Sequence, residues 1–172
     1  GGAGAGKSNV IKQLGLREQG FKVVNQDISL EWLMKNHGMP RDMREFSKEQ
    51  RSQFGKLSHE ARQIAVNKKI KYQGKGDGVV VDGTGASLKV MEKNIKEFTD
   101  KGYDVQMVFV ETSLEVSQAR NLARPERSLR TGIVVKTWES VQGNKEAYKK
   151  MFGERFAEVN TCLLYTSDAA DE

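Results

Sequence analysis

The chain of 172 residues is poor in the side chains that build disulfide and metal frameworks. It contains one cysteine, Cys162, and two histidines, His37 and His59. A single cysteine cannot form a disulfide within the chain, which excludes a disulfide-stabilised scaffold. Two histidines without a cysteine partner do not make a zinc-binding pattern, and we interpret them as surface residues. No apolar run approaches the length of a transmembrane helix, so we expect a cytoplasmic protein without membrane partners.

The first eight residues form the strongest motif of the chain and match the pattern G-x-x-x-x-G-K-[ST]; they are Gly1, Gly2, Ala3, Gly4, Ala5, Gly6, Lys7 and Ser8. Glycine lets successive backbone N–H groups turn toward a phosphate that larger side chains would block. Lys7 is predicted to reach the β- and γ-phosphates of ATP, and Ser8 to bind Mg²⁺ through its hydroxyl. A flexible glycine-rich tail is the alternative, and the helical sequence after Ser8 favours the nucleotide site.

Both ends of the chain suggest a fragment. A phosphate-binding loop normally follows a buried strand, yet this chain starts at Gly1. Residues 162–172 resemble the translation of an adapter used in sequencing libraries, and we expect them to be a non-native tail. We therefore assign residues 1–161 to one domain that is truncated at both ends.

The charge balance changes when the tail is set aside. The tail contains three acidic residues, Asp168, Asp171 and Glu172, and no lysine or arginine. The net charge of +5 for the whole chain therefore becomes +8 for residues 1–161. A basic balance suits a phosphate-rich ligand such as a nucleotide or nucleic acid, but solvated lysines on helix faces explain it equally well.

Strand patterns alternate with helical patterns along the chain. Strands are predicted at 21–25, 78–82 and 103–110, the second of them buried, and helices at 7–19, 29–36, 47–72, 87–101, 112–124 and 134–152. Capping boxes at Ser47–Gln50 and Thr112–Glu115 mark two of the helix starts, and Trp32 and Trp138 are interpreted as packing aromatics. Apolar strands separated by helices predict the α/β class with a parallel sheet.

Two aspartates follow predicted strands, where ligands bind in parallel sheets. Asp27 follows the strand at 21–25 and is a candidate base that accepts a proton from an attacking hydroxyl. The alternative is that Asp27 caps the next helix. Asp82 follows the strand at 78–82 and has the form of a Walker-B acid near Mg²⁺. Its alternative is a turn residue, because Asp-Gly is also turn chemistry.

A basic cluster occupies residues 120–130 and contains Arg120, Arg124, Arg127 and Arg130. Arg120 and Arg124 are four residues apart and are expected to share a helix face. Only one acid, Glu126, lies among these four arginines in the sequence. A lid that covers a transferring phosphate explains the cluster, because phosphoryl transfer depends on charge stabilisation. A solvated basic helix end is the alternative.

The order of these motifs resembles P-loop kinases of the zeta-toxin and phage polynucleotide-kinase group. The resemblance rests on Gly1–Ser8, on Val-Val-Asn-Gln-Asp27, on Val-Val-Val-Asp82-Gly-Thr and on Ala-Arg120-Asn-Leu-Ala-Arg124. It implies a kinase that uses ATP and Mg²⁺ to phosphorylate a hydroxyl of a nucleotide, nucleotide sugar or polynucleotide. It also implies that Lys7, Asp27 and the lid arginines Arg120, Arg124 and Arg130 are catalytic, and that Ser8 and Asp82 lie near the metal.

The resemblance also implies a three-layer fold whose central strand precedes the loop and is missing from this chain. We then expect a split sheet, because inner strand edges would lack a partner. A nucleic-acid acceptor is not favoured, because no basic residue directly follows Asp27, whereas polynucleotide kinases carry a substrate-phosphate arginine on the following helix.

Other classes of nucleotide-binding protein stay open. Asp82-Gly-Thr-Gly85 fits the D-x-x-G pattern of a GTPase switch, but Asn144-Lys145-Glu146 is followed by Ala147 and does not complete N-K-x-D. A motor ATPase usually has a glutamate after its strand acid, and here Gly83 follows Asp82. A nucleotide hydrolase without a phosphate acceptor, or a nucleotide-dependent interaction module without turnover, is the remaining alternative.

Overall fold

The computed structural model describes residues 1–162, so most of the expected non-native tail, residues 163–172, lies outside the described residues. The chain divides into two compact units. Among the described residues, unit 1 comprises Gly1–Leu14, Thr84–Asn121 and residues 131–162, and unit 2 comprises Gly15–Gly83 and Leu122–Arg130. Within residues 1–162, no helix combines the length and the apolar character needed to span a membrane.

The helices and strands alternate as the α/β prediction requires. The α-helices are α1 (Lys7–Gln13), α2 (Gln26–Asn36), α3 (Lys48–Gly74), α4 (Leu88–Asp100), α5 (Leu114–Ala123) and α6 (Thr131–Phe152). The strands are β1 (Lys22–Val24), β2 (Val79–Val81), β3 (Met107–Glu111) and β4 (Phe156–Asn160). Short 3-10 turns lie at Met43–Glu45 and Gly153–Arg155.

Unit 2 is built on the parallel pair β1–β2 and the helices α2 and α3. Lys22 pairs with Val79 and Val24 with Val81. The core contains residues of α2, of the 3-10 turn and of α3, namely Leu30, Leu33, Met34, Met43, Phe46, Leu57 and Ala61. Four of the predicted apolar positions of α3 (Phe54, Leu57, Ala61 and Ile64) belong to this core or contact it. Helical spacing therefore correctly predicted the buried face of α3.

The start of α3 confirms the first predicted capping box. The Gln50 backbone N–H donates to Ser47 Oγ at 3.1 Å, and the Ser47 backbone N–H donates to Gln50 Oε1 at 2.8 Å. Two N–H groups that have no partner within the helix are thereby satisfied.

Unit 1 is built on the parallel pair β3–β4 and the helix α6. Met107 pairs with Phe156 and Glu111 with Asn160. Phe109, Val141, Tyr148 and Phe152 form its main buried cluster. Lys145 of α6 forms ion pairs with Glu111 of β3 at 2.9 Å and with Glu158 of β4 at 2.6 Å. The Lys145 ammonium group therefore connects α6 to both strands through ion pairs.

Two predicted helix limits were wrong for local reasons. α1 ends at Gln13 and not at 19, and Gly15 has a φ of 61°, a left-handed conformation that favours glycine and ends a helix. The second capping box does not form. Ser113, not Thr112, accepts the hydrogen bond that starts α5, from the Val116 backbone N–H at 3.2 Å.

Two predictions of burial were also wrong. The strand at 78–82 was expected to be buried, but β2 is only partly buried and Val81 is 44% exposed. Among the described residues β2 pairs only with β1, which leaves its other edge without a strand. Trp32 is 61% exposed and is not a packing aromatic, because α2 presents Leu30, Leu33 and Met34 to the core instead.

The described strands form two separate pairs, β1–β2 and β3–β4, and not one sheet. Strand β4 was not predicted, because its two large apolar residues, Phe156 and Val159, are three residues apart and do not show the period of two that is typical of a strand. The three-layer arrangement with a further central strand stays a prediction.

The capping box generates a stability prediction. Ser47→Ala removes the side-chain acceptor of the first turn of α3, and we expect it to lower the free energy of unfolding by about 1 kcal/mol. Urea unfolding of the variant measures this loss. Ser52→Ala is the matched control, since Ser52 is an exposed residue inside the same helix. An equal effect of the two substitutions would contradict the role of the cap.

Candidate functional site

The loop Gly1–Ser8 in unit 1 contains two positions that favour glycine. Gly4 and Gly6 have φ values of 73° and 85°, which residues with a side chain rarely adopt. A Cβ atom at Gly4 would also collide with the backbone carbonyl oxygen of Ser117. Ala5 is fully buried and clusters with Val10 and Val110. The loop is therefore an ordered turn packed on β3, which argues against a flexible tail.

Lys7 and Ser8 lie at the start of α1. The Lys7 ammonium donates to the Gly2 carbonyl at 2.9 Å, so it folds back over the loop. The Ala5 backbone N–H donates to the same carbonyl at 3.3 Å. Ser8 is exposed, so its hydroxyl is accessible for a ligand. This arrangement places a cation and a hydroxyl at adjacent positions of the glycine-rich loop, as the sequence predicts.

Arg120 is bound to the phosphate-binding loop and to the end of β4. Its guanidinium group donates to the Thr161 hydroxyl at 3.0 Å, to the Thr161 carbonyl at 2.8 Å and to the Ala5 carbonyl at 3.4 Å. The Thr161 hydroxyl in turn donates to the Ala5 carbonyl at 2.7 Å. Arg120 thus helps to hold the backbone of the loop at Ala5, both directly and through Thr161. Its predicted role in a lid stays a prediction.

The two candidate acids in unit 2 are joined by one amide. Asn25 accepts a hydrogen bond from the Asp27 backbone N–H at 2.7 Å, and its side-chain amide donates to Asp82 Oδ2 at 2.7 Å. Asn25 is therefore the N-cap of α2, and the alternative that Asp27 caps this helix is wrong. The Asp27 side chain does not cap the helix and is 49% exposed.

The lid arginines in unit 2 pair with α2. Arg124 donates to Glu31 at 2.6 Å, and Arg127 forms ion pairs with Asp27 at 2.9 Å and with Glu31 at 3.6 Å. The local sequence contains only Glu126 as a counter-charge, but Glu126 is exposed, and Asp27 and Glu31 neutralise these arginines instead. The alternative of a solvated basic end is thereby wrong for Arg127, whose side chain is only 6% exposed.

Backbone hydrogen bonds attach the arginine-containing segment to the 3-10 turn of unit 2. The Ser128 backbone N–H donates to the Arg41 carbonyl at 3.1 Å, and the Met43 N–H donates to the Ser128 carbonyl at 3.1 Å. Arg130 follows this attachment and is half-buried. Its guanidinium group forms no ion pair among residues 1–162, and its predicted role in a lid stays a prediction.

Glu31 has an unusual electrostatic position. Burial raises the pKa of its carboxyl group above the ordinary value, and the nearby Arg124 and Arg127 oppose that rise. Asp27 and Glu126 raise it further through their negative charge. The Glu31 carboxylate is thus paired with two cations but poorly solvated.

Ser8 of unit 1 and Asp82 of unit 2 are the two residues predicted to lie near Mg²⁺. Mg²⁺ prefers oxygen ligands and usually takes only one or two protein ligands beside phosphates and water. Ser8 offers a hydroxyl and Asp82 a carboxylate, which are ligands of the right type. Residues 1–162 contain no cluster of three or more His, Cys, Asp or Glu side chains that would form an all-protein metal site.

Three residues of the site were missed by sequence reasoning, namely Asn25, Glu31 and Thr161. Asn25 directly precedes α2 and has a side chain typical of N-caps, so its role had a readable signal. Glu31 is four residues after Asp27, which places both carboxylates on one face of α2. Thr161 had no signal, because its partners Ala5 and Arg120 are distant in the sequence.

Comparison with known proteins agrees with this geometry. A family model described as an AAA domain matches residues 1–146, which includes the glycine-rich loop, both candidate acids and the arginine-containing segment. No curated protein matches the chain.

The anchoring of the loop can be tested at Thr161. Thr161→Val keeps the shape but removes the hydroxyl, and leaves the buried Ala5 carbonyl and an Arg120 donor with fewer partners. We expect the free energy of unfolding to fall by about 1–3 kcal/mol. Thermal or urea unfolding measures it, with Thr161→Ser, which retains the hydroxyl, as the matched control. Similar losses for Val and Ser would refute the proposed anchor.

Proposed function

The chain belongs to the AAA domain family of P-loop nucleotide-binding proteins, and we propose that it is an ATP-dependent kinase that phosphorylates a hydroxyl group. Within that family we propose its place among kinases similar to zeta toxins and phage polynucleotide kinases. The proposed acceptor is a hydroxyl of a nucleotide, nucleotide sugar or polynucleotide. Of these, a nucleic-acid acceptor is the least favoured.

In this proposal unit 1 binds ATP. The amides of Gly1–Ser8 surround the phosphates, and the Lys7 ammonium exchanges its bond with the Gly2 carbonyl for phosphate oxygens. This exchange replaces a neutral acceptor with an anionic one and is therefore favourable. Ser8, with Asp82 as the second proposed ligand, would hold Mg²⁺, which would supply positive charge to the phosphates.

The observation that carries the proposal is the state of Asp27. Its carboxylate is half-exposed, released from capping by Asn25 and fixed by Arg127 at 2.9 Å. A carboxylate that is held in place but accessible is suited to accept a proton from a hydroxyl group. A nucleotide switch or an interaction module has no use for such a base.

The proposed reaction transfers the γ-phosphate of ATP to the acceptor hydroxyl. Asp27 accepts the proton of the acceptor hydroxyl while that oxygen forms a bond to the γ-phosphorus of ATP. The bond from the γ-phosphorus to the β–γ bridging oxygen breaks, and ADP leaves with that electron pair. Lys7, Arg124 and Arg130 stabilise the negative charge on the transferring group.

The first test concerns nucleotide binding. We predict that Lys7→Ala abolishes detectable ATP–Mg²⁺ binding, because Lys7 supplies the positive charge of the glycine-rich loop. Isothermal titration calorimetry measures the affinity. Lys12→Ala is the matched control, since Lys12 is an exposed lysine of the same helix, α1. ATP binding of unchanged affinity by the Lys7 variant would refute the site.

The second test concerns phosphoryl transfer. Asp27→Asn removes the base but keeps nearly the same shape, so we predict normal ATP affinity and a fall in transfer rate of about 10²–10⁴. Labelled ATP and a panel of nucleosides, nucleotides, nucleotide sugars and oligonucleotides measure the transfer. Asp100→Asn, an exposed aspartate of α4, is the control.

The same assay separates the kinase from its alternatives. A kinase labels an acceptor, whereas a hydrolase releases phosphate at an equal rate with or without acceptors. A GTPase prefers GTP, and an interaction module binds nucleotide without turnover. Phosphate release that no acceptor changes, or near-normal transfer by Asp27→Asn, would contradict the proposal.

A further inference from the structure

We infer that Glu31 is a positioning residue that holds Arg124 and Arg127 beside the Asp27 carboxylate. The inference rests on the proposed function, in which Asp27 is the base and Arg124 stabilises the transferring phosphate. Glu31 itself touches neither substrate in this scheme. It acts through the two arginines.

The contacts of Glu31 support a positioning role. One carboxylate oxygen, Oε1, receives the Arg124 guanidinium at 2.6 Å and lies 3.6 Å from Arg127 Nε. Arg127 in turn reaches Asp27 through its Nη2 atom at 2.9 Å. Glu31 is thus the shared counter-charge of two arginines that come from a loop segment, and α2 supplies both Glu31 and Asp27. A rigid helix therefore sets the relative placement of the base and the arginines.

The burial of these groups limits their freedom. The side chains of Arg127 and Glu31 are 6% and 15% exposed. Arg127 Nε is buried and has no hydrogen-bond partner among the described residues, while Glu31 Oε1 is its ionic neighbour at 3.6 Å. Arg124, in contrast, is 32% exposed and uses only Nη2 for Glu31, so other donors of its guanidinium group stay available for a phosphate.

Burial and charge act on Glu31 in opposite directions. Burial raises the pKa of its carboxyl group, and Asp27 and Glu126 add to the rise, while Arg124 and Arg127 lower it. The two arginines thus offset part of the cost of burying this carboxylate, and the ion pairs hold the three side chains together.

The decisive experiment is a double-mutant cycle in the full chain. Glu31→Gln keeps the size and one oxygen acceptor but removes the charge. We expect it to lower kcat about 10- to 100-fold, as misplacement of a catalytic group does, and to leave the KM for ATP within about twofold. In the Arg124→Ala background we expect the same substitution to lower kcat by less than about threefold, because its main route of action is gone.

The matched control is Glu126→Gln. Glu126 lies in the same arginine-containing segment and is exposed, and the described residues give it no ion pair. We expect its kcat to equal that of the wild type. An equal loss for Glu126→Gln and Glu31→Gln would indicate general electrostatics and would overturn the inference.

Two further measurements do not depend on activity. Urea unfolding at pH 7 should show Glu31→Gln to be less stable than the wild type, because the substitution removes a counter-charge of the buried Arg127. The Arg124 Nε–H signal in NMR spectra, identified by its loss in Arg124→Ala, should shift or broaden in Glu31→Gln.

These measurements distinguish a failure of the proposed function from a failure of the inference about Glu31. Absence of transfer to any acceptor would refute the proposed function, while the arginine signal would still decide whether Glu31 positions Arg124. An unchanged Arg124 signal in Glu31→Gln, or an equal loss of kcat with and without Arg124, would overturn the inference about Glu31.

Discussion

The structure of unit 2 depends on the compensation of the buried Arg127 guanidinium group. An arginine cannot lose its charge in a protein, and removing that charge from water costs several kcal/mol unless anions replace the solvent. Asp27 and Glu31 of α2 are those anions, at 2.9 and 3.6 Å. Because both lie on one helix face, the interaction that neutralises Arg127 also holds the proposed base, Asp27, while Glu31 binds Arg124 as well.

In unit 1 the constraint is different. A glycine-rich loop has few side chains of its own that can pack, so other contacts must keep it in place. Gly4 and Gly6 have left-handed conformations, and the fixed points of the loop are the buried Ala5 side chain and the Ala5 carbonyl. Arg120 and Thr161 bind that carbonyl, and Lys7 folds back on Gly2. The loop is therefore held in shape by contacts with distant parts of the chain.

Local patterns predicted much of the fold and part of the site. The helical spacing of α3 and the Ser47–Gln50 capping box need only neighbouring residues, and each has the predicted form. The predictions that were wrong, such as the burial of β2 and of Trp32, depend on which surfaces other elements cover. The exposure of a short strand or of a tryptophan depends on residues that are distant in the sequence, so the local pattern cannot predict it.

The sequence by itself determined the α/β class and the glycine-rich motif at Gly1–Ser8, because both are read from residues close together in the chain. Only the tertiary structure decided the partners of the arginines. It paired Arg124 and Arg127 with Glu31 and Asp27, and Arg120 with Thr161 and Ala5, and left Arg130 without a counter-charge among the described residues. The physical reason is that a buried charge must find an opposite charge or a polar group in space, and long-range folding, not sequence spacing, determines which groups are near.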